Sequence, residues 1–125
     1  MEKKVLIIDD EPEMLKMFGY ALEKAGFKIV TCDNGKRAWD DILLEKPDLI
    51  ILDVMLPGID GYSLQQKISE APETKEIPVI VMTSLEPSKA LFQKFPQVVS
   101  FMTKPCNINE LVNQAQKATN RAIGS

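Results

Sequence analysis

A chain of 125 residues, 45% of them hydrophobic, is the size of one common domain and long enough to bury a core. Its net charge of −3 arises from 15 bases and 18 acids scattered along the chain, which leaves no basic stripe for a phosphate backbone and argues against direct nucleic-acid binding. The absence of histidine removes Ser-His-Asp, Cys-His and imidazole-zinc chemistry, leaving carboxylates, hydroxyls and lysines as the reactive groups.

The first predicted element is a strand at Val5-Leu6-Ile7-Ile8, a continuous apolar run that ends on Asp9, Asp10 and Glu11. Pro12 suits the first turn of a helix, and Leu15, Phe18, Leu22 and Ala25 recur at helical spacing until Gly26, predicting a helix over 12–25. Glu11 reads as a helix-start acid favoured by the dipole. Lys28 to Cys32 is a shorter, mixed strand, followed by the turn residues Asp33-Asn34-Gly35 and a helix with Ala38, Ile42 and Leu43 inward. Trp39 reads as partly buried helix surface without a role. Lys46-Pro47 ends that helix and leads into Leu49-Ile50-Ile51-Leu52-Asp53, an apolar run driven straight into a carboxylate before Pro57-Gly58 turns the backbone.

Asp60 reads as the N-cap of a third helix from Gly61, with Leu64 and Ile68 inward. Pro78 opens Val79-Ile80-Val81-Met82, ended by the hydroxyls of Thr83 and Ser84. Pro87 is placed to begin a fourth helix holding Ala90, Leu91 and Phe95, which Pro96 cuts short. Val98 to Met102 is a fifth strand, followed by Thr103-Lys104-Pro105. Asn107 and Glu110 have capping-box spacing and open a last helix with Ile108, Leu111, Ala115 and Ala118 inward.

Repeated strand-helix alternation argues for an α/β fold, a parallel five-stranded sheet with helices on both faces, because each parallel pair needs a crossover. The unbroken apolar runs of strands one, three and four suit central positions and the mixed strands two and five suit edges, compatible with the 2-1-3-4-5 order of flavodoxin-like sheets. No run approaches the ~20 apolar residues of a membrane span, and Val5 to Ile8 is shorter than the roughly 7–15 of a signal-peptide core, so the expected location is the cytoplasm. Cys32 and Cys106, unpatterned, fit reduced thiols.

Parallel strands share one carboxyl edge, where open α/β sheets place their ligand. Asp9 and Asp10, Asp53, Thr83 with Ser84, and Lys104 would therefore meet there. A charge at the edge of an apolar core is costly unless a cation or hydrogen bonds meet it. Three carboxylates at one edge call for a hard divalent cation, and magnesium, which keeps waters and accepts phosphate oxygens, fits better than a calcium cage.

In Asp9-Asp10, Asp53 with its Pro57-Gly58 and Asp60-Gly61 tail, Thr83 and Lys104-Pro105, the chain resembles the receiver domain of two-component response regulators (CheY-like) over residues 1–122; 123–125 is a tail of the kind cloning leaves. The resemblance implies a (βα)5 three-layer sandwich and a phosphorelay switch: Asp53 accepts a phosphoryl group from the phosphohistidine of a sensor histidine kinase or histidine phosphotransfer protein. It also implies Mg2+ held by Asp10 and Asp53, with Asp9 through water and the Met55 backbone carbonyl. By the same resemblance, Lys104 binds the phosphoryl group, Thr83 and Phe101 switch, the face of helix four, strand five and helix five carries the output, and Lys104-Pro105 is a cis peptide. A carboxylate is ionised at neutral pH and attacks phosphorus without a general base, which explains a site without histidine. The domain would be regulatory rather than an enzyme, catalysing only its own phosphorylation and dephosphorylation, and a monomer or weak phosphorylation-dependent dimer. With no output domain following the last helix, the expectation is either a single-domain messenger or a piece of a larger regulator, acting on a downstream protein target.

Departures from the family pattern narrow this. Phe101 lacks the hydroxyl of the tyrosine common there, and Pro96-Gln97-Val98-Val99 replaces the small Gly-Ala pair that often precedes strand five, so helix four is expected to be short or displaced. Met55 and Leu85 place apolar groups where water would approach Asp53, predicting a long-lived acyl phosphate. Two rival readings remain: a pseudo-receiver that works as a binding module without phosphorylation, and a magnesium-dependent phosphohydrolase with an aspartate nucleophile. The second acid that such a hydrolase generally carries two residues after the nucleophile is here Met55.

Overall fold

The structure, a computed structural model, describes residues 2–56, 60–83 and 89–124. Strands and helices alternate as β1 (Lys4–Ile8), α1 (Pro12–Lys24), β2 (Lys28–Cys32), α2 (Gly35–Glu45), β3 (Leu49–Asp53), α3 (Gly61–Glu70), β4 (Val79–Thr83), α4 (Lys89–Phe92), β5 (Val98–Thr103) and α5 (Ile108–Gly124). The strands form one sheet in the order β2-β1-β3-β4-β5, all pairs parallel, which is the flavodoxin-like arrangement. β3 and β4 are buried at every position and β1 at all but its first, whereas each of the edges β2 and β5 has a single buried residue, as the composition of the runs implied.

Because side chains alternate across a strand, each central strand feeds two cores. Leu6, Ile8, Ile50, Leu52, Val79 and Val81 pack with Ala38, Ile42, Leu64 and Ile68 of α2 and α3. Val5, Ile7, Leu49, Ile51, Ile80 and Met82 pack with Phe18 and Leu22 of α1 and Leu111, Ala115 and Ala118 of α5. Fully burying each such aliphatic side chain contributes about 1.5–3 kcal/mol, so the sheet is the rigid frame on which its carboxyl edge is displayed.

Local signals set the helix ends. α1 begins on Pro12 and ends before Gly26, whose φ of +102° is the left-handed region that glycine enters freely. Asn34 Oδ1 accepts from Lys36 N–H at 2.8 Å to cap α2, and Asp60 Oδ1 accepts from Tyr62 N–H at 3.0 Å to cap α3. At Gly61 an added Cβ would lie 2.7 Å from Val54 Cα, so only glycine lets α3 start against the backbone that follows β3.

The α4 region departs from the sequence expectation. Phe95 is buried as expected, but Ala90 and Leu91 are exposed and Phe92 turns inward in their place. Two rings spaced three apart bury more apolar area than Ala90 and Leu91, and they pack on Tyr62 with ring centroids 5.8 and 5.6 Å away. The expected turn at Pro57-Gly58, the hydroxyl of Ser84, the Leu85 side chain and the helix start at Pro87 lie outside the described residues.

Gln97 anchors the entry to β5. Its Nε2 donates to Thr74 O at 3.1 Å and Ile77 O at 2.7 Å, and its Oε1 accepts from Gln65 Nε2 at 3.2 Å. One residue further, the register steps from Val79↔Val98 to Ile80↔Ser100, leaving Val99 as an extra, bulged residue. The bulge inverts the alternation beyond it, so Phe101 pairs with Val81 and packs on the same core as Val98.

Candidate functional site

β1, β3 and β5 each deliver a charged side chain to the carboxyl edge of the sheet. Asp9 and Asp53 are only 2% and 3% exposed. Both are fixed by the same local device: Asp9 Oδ1 accepts from Glu11 N–H, and Asp53 Oδ1 accepts from Met55 N–H, each at 2.9 Å. An aspartate that holds the N–H two residues on cannot rotate freely, and its second oxygen is thereby aimed. Both second oxygens face one ammonium: Lys104 Nζ lies 3.0 Å from Asp9 Oδ2 and 2.8 Å from Asp53 Oδ2.

Lys104 follows β5, and its N–H donates to Thr83 O at 2.9 Å at the end of β4. The Lys104-Pro105 peptide bond is cis. Thr83 is fully buried, and Phe101 is half-buried on the same sheet face, opposite the residue two before Thr83. Asp10 completes an acidic group, since Asp9, Asp10 and Asp53 each offer a carboxylate oxygen within 4.8 Å of the others. Met55 is 52% exposed, while its N–H is held by Asp53.

Burial raises the pKa of Asp9, the Asp53 charge adds to that, and the Glu11 N–H and Lys104 oppose it. For Lys104 burial works against the charge, but hydrogen bonds to Asp53, Glu11 and Asp9 outweigh it and push the pKa up. The lysine is therefore a permanent cation at neutral pH. One positive charge against three converging carboxylates leaves a negative balance, and a hard divalent ion with oxygen ligands suits this donor set.

One participant was given a different role by sequence reasoning. Glu11 makes no side-chain cap bond to α1; its Oε1 lies 2.7 Å from Lys104 Nζ. The run of three consecutive acids was the available signal. Helix-start acids are common enough to have masked it.

Comparison with known proteins agrees with this geometry. Residues 5–116 match the family described as response regulator receiver domain. The alkaline phosphatase synthesis transcriptional regulatory protein PhoP of Bacillus subtilis is 33% identical, over 94% of this chain and 48% of its own length. The phosphate regulon transcriptional regulatory protein PhoB of Pseudomonas aeruginosa is 34% identical, over 95% of this chain and 52% of its own. The chain thus spans about half the length of the curated relatives it matches. Among solved structures, the signal receiver domain of a signal transduction histidine kinase from Syntrophus aciditrophicus aligns with a TM-score of 0.86 at 29% identity, covering 98% of this chain and 94% of that one.

Proposed function

This chain belongs to the response regulator receiver domain family, and from that premise we propose that it is the phosphoacceptor switch of a two-component phosphorelay with Asp53 as the acceptor. The observation that carries the proposal is a buried Asp53 carboxylate with one oxygen fixed by Met55 N–H and the other on Lys104, beside Asp9 and Asp10.

An Asp53 oxygen attacks the phosphorus of a phosphohistidine on a sensor histidine kinase or histidine phosphotransfer protein. The O–P bond forms as the P–N bond breaks, and the imidazole nitrogen leaves with the electron pair and takes a proton from solvent. Asp9, Asp10, Asp53 and the Met55 backbone carbonyl would hold Mg2+, which when bound neutralises phosphoryl oxygens. Lys104 turns one N–H to the phosphoryl group, supplying the remaining positive charge. The acyl phosphate carries roughly −1.5 to −2 of charge, and Thr83 shifts its hydroxyl to hydrogen-bond it. Phe101, lacking a hydroxyl, follows by packing alone and changes the α4-β5-α5 face, where an output partner reads the state.

On this reading the domain is regulatory and catalyses only its own phosphorylation and dephosphorylation. Because the relatives are about twice as long, the output lies either in a further domain of the same protein or in a separate target in the cytoplasm.

With acetyl phosphate or phosphoramidate and Mg2+, intact-mass measurement should show one added phosphoryl group, and Asp53→Asn should show none. No gain under saturating donor would favour a phosphorylation-independent binding module. Turnover of a generic phosphatase substrate would favour a hydrolase.

A further inference from the structure

A lysine ammonium has three N–H donors, and in this structure three carboxylates stand within hydrogen-bonding distance of the Lys104 ammonium. Asp53 Oδ2 lies 2.8 Å from Nζ, Asp9 Oδ2 3.0 Å and Glu11 Oε1 2.7 Å. To contact a phosphoryl oxygen, as the phosphoacceptor reading above requires, Lys104 must release one of them. The Asp9 and Asp53 side chains are 2% and 4% exposed, whereas that of Glu11 is 54% exposed. Buried charged hydrogen bonds are costly to break, while an exposed ion pair is screened and replaced by water at little cost. Glu11 is the partner that can be given up.

We propose that Glu11 is a positioning residue that holds the third donor of Lys104 in the resting state and competes with the incoming phosphoryl group for it. Three observations separate this role from the other uses of an acid at that place. The Glu11 side chain does not cap α1, it is not in the group of carboxylates that converge within 4.8 Å, and its N–H is already committed to Asp9. Glu11 therefore acts on phosphorylation through Lys104, setting how readily that lysine turns to the acceptor.

The test titrates beryllofluoride, an anion that takes the phosphoryl place on a carboxylate, at saturating Mg2+, with Mg2+ affinity measured separately. Glu11→Gln should tighten beryllofluoride binding about two- to fivefold, the range expected for losing a solvent-screened competitor, without tightening Mg2+ binding. In a Lys104→Met background the same substitution should give no gain. An unchanged or weaker affinity in Glu11→Gln overturns the proposal. So does an equal gain in the Lys104→Met background, which would mean that Glu11 acts on the anion directly by its charge. The nitrogen NMR signal of the Lys104 ammonium decides without a second substitution: it should shift in Glu11→Gln before any beryllofluoride is added, and an unmoved signal sinks the idea. If the unaltered protein binds Mg2+ but no beryllofluoride, the phosphoacceptor reading itself fails, and this inference with it.

Discussion

Lys104 and Asp53 meet at 2.8 Å although they are 51 residues apart and stand at the ends of strands that are not neighbours. β4 lies between β3 and β5, and the lysine is held at its end by the N–H bond to Thr83 O. The pair joins three strand ends into one charged cluster, and Asp9 is tied into it by the same ammonium.

Removing that ammonium should be expensive. Lys104→Met leaves the buried carboxylates of Asp9 and Asp53 without a counter-ion, and in metal-free buffer at neutral pH the expected loss is about 2–3 kcal/mol by urea unfolding, somewhat below that of a fully buried pair because the cluster sits at a sheet edge. The pKa of Lys104 is raised in the folded state, so its contribution is fully present below the ordinary value of 10.5 and is lost as pH rises through the folded value. The difference between the two proteins should stay constant from about pH 7 to about pH 10 and close above that. A gap that closes between pH 7 and pH 9 would contradict the assignment.

Divalent-ion binding should stabilise the fold, by about 2.7 kcal/mol when free Mg2+ is 100 times its dissociation constant. Asp9 makes this increment acid-sensitive. Its pKa is raised, chiefly by burial, so its contribution to the metal-free protein is fully present below 3.8 and lost as pH rises through its folded value. A proton on Asp9 thus supports the metal-free fold and competes with the ion. The thermal midpoint gained from Mg2+ should shrink on acidification, starting above the pH at which an ordinary aspartate titrates, and Asp10→Asn should reduce it at neutral pH. A gain independent of pH down to about 4 would remove Asp9 from the ion site.

Gly61→Ala tests how closely α3 seats on the end of β3. Alanine is the better helix former by about 1 kcal/mol, yet its Cβ would stand 2.7 Å from Val54 Cα and 2.9 Å from Val54 O. Backbone atoms cannot give way as a flexible side chain can, so a net loss of about 1–3 kcal/mol is expected in urea unfolding. A neutral or stabilising result would mean that this contact is looser than the structure has it.

Gln97→Leu probes the opposite end of the sheet. The substitution strips the carbonyls of Thr74 and Ile77 of a donor and Gln65 of its acceptor, and the expected loss is about 2–3 kcal/mol. Because Gln97 precedes β5 while Asp53 ends β3, acetyl phosphate labelling of the folded variant should proceed at the unaltered rate. Slowed labelling would reveal coupling between the two ends.

Much of this was legible in the residues. The runs at Val5–Ile8, Leu49–Leu52 and Val79–Met82 are buried on both faces, and that burial is what an unbroken apolar run means, so the central and edge placement of the strands and the location of Asp9, Asp53 and Thr83 at one edge followed from local pattern. The cap at Asp60 was equally local, while Asn34, read only as a turn residue, also caps a helix. Periodicity was a poor guide where the element was shortest. Around α4 it favoured Ala90, Leu91 and Phe95, of which only Phe95 is buried; Phe92, packed with Phe95 on the Tyr62 ring of another helix, takes the place of the other two.

The sequence by itself determined that three acids, a threonine and a lysine stand at strand ends of a parallel sheet, because apolar periodicity and turn residues act within a few positions of one another. Only the tertiary structure decided which atoms meet. The sharing of Lys104 among Asp9, Glu11 and Asp53, the grip of Gln97 on Thr74 and Ile77, and the bulge at Val99 that turns Phe101 toward the Val81 face all depend on register and reach between segments far apart in the chain. Side-chain alternation is a property of one strand, but the offset between two strands is set by the packing of both against their shared core, and no local pattern encodes it.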